Sequence, residues 1–213
     1  MTADAFIRAH TAIGTAPLVP EIRLHLATEI TPIWQATEEW LAKVGLEPPF
    51  WAFAWPGAQA LARRILDGPE RVRGRVVLDF AAGGGLAAIA CALAGARAQA
   101  AEIDKVAAAA IGLNAALNGV EFAVTAGDVV GQACRWDLIL CGDVCYEAPM
   151  TRHILPWLRR MAREGEVWVA DPGRAYMPAA GLELLDTYDV PTSVELEDRP
   201  QRTTRVFRLL PDD

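Results

Sequence analysis

From residue 75 onward, short β-branched runs alternate with Ala-rich stretches, and this alternation restricts the chain more than any other feature. Strands separated by helices build βαβ units, which lie side by side as a mostly parallel sheet. The pattern predicts strands over 76–80, 98–103, 121–125, 137–141 and 167–170, with helices over 85–94, 105–118 and 149–163. The last fifty residues change character. Residues 184–190 and 203–210 read as strands joined by a charged, Pro-containing connection too short for a crossover helix, so they are expected to pair antiparallel. The expected fold is α/β: a seven-stranded, mostly parallel sheet with helices on both faces and a C-terminal antiparallel hairpin.

Upstream of this core the pattern is less regular. Residues 20–44 read as an extended piece followed by a helix that starts after Thr31, with Pro32 in its first turn. Phe50, Trp51, Phe53 and Trp55 then crowd into six residues ahead of Pro56 and Gly57, and a helix is expected over 58–66. A chain of 213 residues supplies one core and not two. We therefore expect a single domain over 1–213, with a helical N-terminal extension carrying the aromatic loop over 1–70 and the core over 71–213.

Composition narrows the classes of function. With 53% hydrophobic and 22% charged residues the chain can offset its ordering entropy by burial, which excludes disorder for most of it. The longest uncharged run, 80–96, falls short of the roughly 20 apolar residues a spanning helix needs. A net charge of -7 argues against phosphate-backbone binding, so neither nucleic acid nor a membrane is expected as partner. The first twenty residues lack the apolar stretch of a signal peptide, and a cytoplasmic location is expected. Cys91, Cys134, Cys141 and Cys145 form no C-x-x-C pair and read as reduced thiols in apolar surroundings. No metal site is expected, and His10, His25 and His153 are scattered and read as structural or solvent-facing.

The first strand-to-helix turn carries the chemistry. Asp79, Ala81, Gly83, Gly84 and Gly85 end the first strand and open the first core helix, where glycines let the backbone turn tightly and approach a nucleotide-type cofactor. Gly83-x-Gly85-x-x-Ala88, with Glu102 about 20 residues on, satisfies the dinucleotide fingerprint, and taken alone would support NAD. Asp79 tips the balance the other way. A carboxylate under the turn repels a diphosphate and favours S-adenosylmethionine, which has no phosphate and carries an ammonium and a sulfonium.

The run from Val76 to Gly119 resembles motifs I and II of the class I, Rossmann-like S-adenosylmethionine-dependent methyltransferases, with Ala81 standing where the family usually has its first loop glycine. The resemblance implies that Glu102 binds the ribose hydroxyls and that Gly142 lies beside the cofactor after the fourth strand. It also gives Asp128 to the adenine amino group, with a helix cap as the other reading. Asp104 reads as the N-cap of the helix that begins at Lys105. Trp55 is expected to close over the cofactor, with a plain core position as the alternative.

Just past the fourth strand, Asp143-x-x-Tyr146 resembles the D/E-x-x-Y/F motif of the family 16 protein-lysine methyltransferases, where an acid and an aromatic meet the acceptor. Asp143 is expected to receive the lysine ammonium and Tyr146 to wall the transfer channel; a capping Asp and a core Tyr are the other reading. Leu18–Leu24, Phe50–Gly57, Ile111–Ala115 with Asn118-Gly119, and Asp171–Arg174 extend the resemblance to the electron transfer flavoprotein beta subunit lysine methyltransferases. That implies S-adenosylmethionine as cofactor, the flavoprotein beta subunit as protein substrate and a monomeric enzyme. Methylation of a ribosomal protein or a small amine stays open, as do an NAD-dependent oxidoreductase and a binding scaffold without turnover. Asp171–Arg174 reads either as part of the substrate surface or as a turn with an exposed Arg.

Overall fold

The computed structural model describes residues 2–27 and 49–212. The chain opens with helix α1 (Ala3–His10) and an antiparallel hairpin, β1 (Ala12–Ala16) and β2 (Val19–Leu26), which forms a separate two-stranded sheet. A 3-10 turn (Phe50–Ala52) leads into α2 (Pro56–Asp67). The core follows as β3 (Val76–Phe80), α3 (Leu86–Leu93), β4 (Arg97–Glu102), α4 (Lys105–Leu117), β5 (Ala123–Ala126), β6 (Leu138–Gly142), α5 (Ala148–Met161) and β7 (Glu166–Asp171). It closes with β8 (Leu182–Pro191), the short α6 (Val194–Glu197) and β9 (Gln201–Leu209).

Every core strand and helix expected from the alternation is present, with ends moved by one or two residues. The sheet order is β5-β4-β3-β6-β7-β9-β8. The first five strands run parallel, and β9 pairs antiparallel with both β7 and β8, so the last strand inserts between its two neighbours. Side-chain alternation along β6 sorts the two faces. Leu138 and Leu140 join α2 and α3 in one cluster with Ala98, Trp168 and Val206. Ile139 and Cys141 face α5, packing with Trp157, Leu158 and Met161.

The N-terminal region differs from expectation. Residues 12–26 form a hairpin where an extended piece is expected only from residue 20 onward, and the helix expected after Thr31 lies outside the described residues. β1 buries only Ala16, so it carries no alternation of its own to read. The hairpin is held from outside. Asn118 in the cap of α4 accepts from Arg23 N at 2.9 Å and donates to Arg23 O at 2.7 Å, while Asn114 one turn earlier accepts from His25 N at 2.7 Å. α2 lies within the expected extension, yet Ala60, Leu61 and Ile65 sit in the same cluster as the central strands.

Candidate active site

The carboxyl ends of β3, β4, β5 and β6 share one edge of the sheet, the edge where open α/β sheets hold their ligands. The loop over β3 turns through left-handed conformations, with φ of 52° at Ala81, 53° at Gly83 and 79° at Gly85. Ala81 thus holds a conformation that a glycine would adopt without steric cost. Gly84 is close-packed for another reason: a β-carbon there would lie 2.9 Å from the Trp51 carbonyl oxygen. The aromatic segment therefore crosses over the glycine loop by its backbone, and Trp51 itself is buried among Phe6, Val106 and Ala110.

Asp79 lies beneath the loop, buried, with Oδ2 accepting from Ala88 N at 2.9 Å. Gly85, the N-cap of α3, has no side chain, and Asp79 supplies the missing acceptor for the third amide of the helix. Burial pushes its carboxyl up to about 8. Glu102 reaches back to the loop: Oε2 accepts from Gly83 N at 2.9 Å and Oε1 from Ile103 N at 2.7 Å. Burial raises this carboxyl too, outweighing those amides. Asp104 caps α4 as expected, accepting from Val106 N at 2.7 Å. Asp128 accepts from Val130 N and meets His153 Nε2 at 2.8 Å; the His153 and Val130 hydrogen bonds outweigh the opposing effect of burial and hold its carboxyl below the usual range. His153 is thus solvent-facing but paired.

The acceptor end is built around Asp143, a non-glycine residue at φ 56° and nearly buried. Its Oδ2 accepts from Gly57 N at 2.5 Å, and its Oδ1 from Arg174 Nε at 3.0 Å and Nη2 at 2.7 Å. Burial pushes the carboxyl up to about 6 in spite of Arg174. Tyr146 is 43% exposed, with its ring 5.7 Å from Phe50. Phe50 in turn packs 6.0 Å from Trp55, whose Nε1 donates to Phe50 O at 2.7 Å. Arg174 stacks 5.6 Å from the Trp55 ring centre. Gly142 meets the first turn of α2, since a β-carbon there would lie 2.8 Å from Ala58 N.

The structure thus brings Trp55, Asp143 and Tyr146 together at one end and Asp79, Ala81, Gly83, Gly85 and Glu102 at the other. Asn114 and Glu197 carry no role in the sequence reading, and Arg174 carries two alternatives. Asn114 is fully buried and donates to Gly84 O at 2.9 Å while holding β2, so it fastens the glycine loop to the hairpin. A pair of asparagines four apart on an Ala-rich helix was the signal for it. Arg174 is partly buried against Asp143, not the exposed turn residue that was one reading of Asp171–Arg174, and Glu197 behind it left no signal at all.

The loop chemistry fits S-adenosylmethionine. No Lys or Arg lies in residues 79–88, and the side chains at the three strand ends, Asp79, Glu102 and Asp128, are all acids. A diphosphate would find no cation there and only carboxyl side chains at the strand ends, whereas a ribose diol and two cationic centres would find acceptors. Among the described residues no helix is long and apolar enough to cross a membrane, and no group of His, Cys, Asp or Glu is placed to hold a metal ion.

Sheet order, loop and acidic strand ends together define a class I S-adenosylmethionine-dependent methyltransferase. The same fold appears in magnesium protoporphyrin IX methyltransferase from Synechocystis, solved with bound SAM, at a TM-score of 0.55 and 14% identity over 84% of this chain and 93% of that one. No family model matches the chain. The electron transfer flavoprotein beta subunit lysine methyltransferase of Xenopus laevis is 42% identical over 176 residues, 80% of this chain and 70% of that protein. Its counterpart in Danio rerio is 35% identical over 205 residues, 92% and 78% of the two chains. The chain belongs to the electron transfer flavoprotein beta subunit lysine methyltransferase family.

Proposed function

We propose that the protein transfers methyl groups from S-adenosylmethionine to lysine side chains of electron transfer flavoprotein beta subunit. The substrate is supported by the name its relatives carry, and the chemistry by one arrangement: a buried carboxylate, Asp143, placed behind an aromatic rim of Phe50, Trp55 and Tyr146. A lysine, with an ordinary pKa of about 10.4, must shed its proton before its nitrogen can attack. Removing water from a cation favours the neutral amine, and an aromatic channel does that. Bound S-adenosylmethionine supplies the methyl carbon and, as it departs, takes up the electron pair at sulfur.

In this reading Asp143 places negative charge at the inner end of the channel and draws the ammonium in. Tyr146 walls the channel, and Trp55 closes its side towards Arg174. Asp79 steadies the first turn of α3, Ala81, Gly83 and Gly85 shape the cradle, and Glu102 exchanges its Gly83 amide for ribose hydroxyls. Asp128 takes the adenine edge, and Gly142 leaves room for α2 to approach. Catalysis then rests on positioning and on the exclusion of water. We read residues 1–213 as one domain, with α2 part of its core, working as a monomer. The described cysteines are all free thiols, which supports a reducing compartment such as the cytoplasm.

The decisive experiment incubates the protein, S-adenosylmethionine and unmethylated flavoprotein, then reads lysine methylation by mass spectrometry. Asp143→Ala is expected to abolish transfer while leaving S-adenosylhomocysteine binding nearly intact. Full activity in that variant would remove Asp143 from the acceptor site. Transfer to another protein or a small amine, with none to the flavoprotein, would overturn the substrate.

A further inference from the structure

Behind Asp143 runs a chain of charges that the acceptor chemistry does not use. The Arg174 guanidinium grips Asp143 Oδ1 through Nε and Nη2, and on its far side meets Glu197 Oε1 at 2.5 Å and Oε2 at 3.2 Å. Glu197, 2% exposed, is held in turn by Arg202, whose Nε lies 2.9 Å from Oε2 and whose Nη2 donates to the Glu197 carbonyl. The signs alternate along Asp143, Arg174, Glu197 and Arg202. We infer that Arg174 is a positioning residue: it fixes the Asp143 carboxylate at the acceptor end and, through Glu197, ties that carboxylate to the connection between β8 and β9. The inference rests on the reading of Asp143 given above.

Three observations carry it. Asp143 sits at a left-handed φ that a non-glycine residue keeps only where its surroundings over-determine it, and Gly57 N and Arg174 are the groups that hold its side chain. The loop bearing Arg174 is itself fastened, because Asp171 Oδ1 accepts from Gly173 N and Arg174 N, both at 2.6 Å, and Tyr176 N donates to Cys145 O beside Tyr146. The guanidinium also stacks on Trp55, so one side chain touches both the acid and the aromatic wall. Buried ion pairs are poor stabilisers, since desolvation offsets their attraction, and a structural purpose alone would be served as well by apolar residues. What Arg174 adds is direction: with its Nε and Nη2 on Oδ1 and Gly57 N on Oδ2, both oxygens are held and the plane of the carboxylate is set.

The groups facing Asp143 are Arg174 from the loop after β7, Asp171 at the end of β7 and Cys145 on its own turn, with Glu197 acting through Arg174. Of these Arg174 is the cation, and it opposes the effect of burial. The test follows the Asp143 carboxyl by carbon-13 NMR, assigned with Asp143→Asn, in the parent, Arg174→Gln, Arg174→Lys and Glu197→Gln. In Arg174→Gln the carboxyl is expected to titrate about one pH unit or more higher. The acidic limb of kcat for flavoprotein methylation moves with it, kcat falls on the order of 10-fold to 100-fold, and S-adenosylhomocysteine affinity stays put. Arg174→Lys fails to restore kcat because an ammonium cannot fork. Glu197→Gln loosens the clamp and lowers kcat by a smaller factor, while the loss of its negative charge shifts the Asp143 carboxyl down instead of up, and its kcat decides the matter if Arg174→Gln does not fold. Unchanged titration and kcat in whichever variant folds would overturn the inference. If the parent leaves the flavoprotein unmethylated the substrate reading fails, while the NMR titration still reports on the Arg174 clamp.

Discussion

Gly57 stands where α2, β6 and β7 converge, and replacing it with alanine probes the whole acceptor end. A β-carbon there would lie 2.5 Å from Ala170 O, 2.6 Å from Asp143 Oδ2 and 2.7 Å from Asp143 N. Each atom must retreat by about 0.7–0.9 Å to reach ordinary contact at 3.4 Å. Two of them cannot do so freely, because Asp143 N already donates to Ala170 O at 3.0 Å. The cheaper escape moves α2 outward and breaks the bond from Gly57 N to Asp143. Overpacking costs about 1–3 kcal/mol, and a hydrogen bond to a charged group about 1.5–3 kcal/mol. Since breaking the bond relieves part of the clash, about 3 kcal/mol is expected overall, or about 6–12 °C in melting temperature for a domain of this size. Gly112→Ala is the control. It lies in α4 with nothing within 4 Å of its β-carbon and should gain about 0.5–1 kcal/mol. Calorimetric melting and flavoprotein methylation are measured on both variants. A Gly57→Ala protein that melts with the parent and methylates normally would refute this account of the junction.

Asp79→Asn tests the buried acid. With its folded value at about 8, against about 3.9 in the unfolded chain, Asp79 keeps a proton that the unfolded chain gives up. Its contribution is therefore full below about pH 4 and is lost as pH rises towards about 8. The amide can still accept from Ala88 N and has no proton to lose, so the urea midpoint of the variant should fall less steeply across that window; parallel curves would show Asp79 is not the source. Asn114→Ala leaves His25 N and Gly84 O without their partner, for about 2–4 kcal/mol in urea unfolding and weaker S-adenosylhomocysteine binding by titration calorimetry. Intact affinity would mean that the glycine loop holds its shape without the hairpin.

The strands of the sheet, the core helices and the glycine loop were readable in the chain, because each is written in spacing over a few residues, whereas the short α6 was not. Short β-branched runs make strands, Ala-rich stretches between them make helices, and an acid after a strand lands at its carboxyl edge. The hairpin of β1 and β2 was not readable. Its outer strand is almost all exposed, and its partners, Asn114 and Asn118, lie about 90 residues away. Nor could any local pattern place β9 between β7 and β8, since strand neighbours are chosen by what each face buries once the chain has closed. The same holds for the site. Asp79 is named by its motif, yet only the packed α3 shows that it caps a helix whose own N-cap is a glycine. Arg174 and Glu197 are 23 residues apart, on different connections, and their charges acquire a role only where folding removes the water between them.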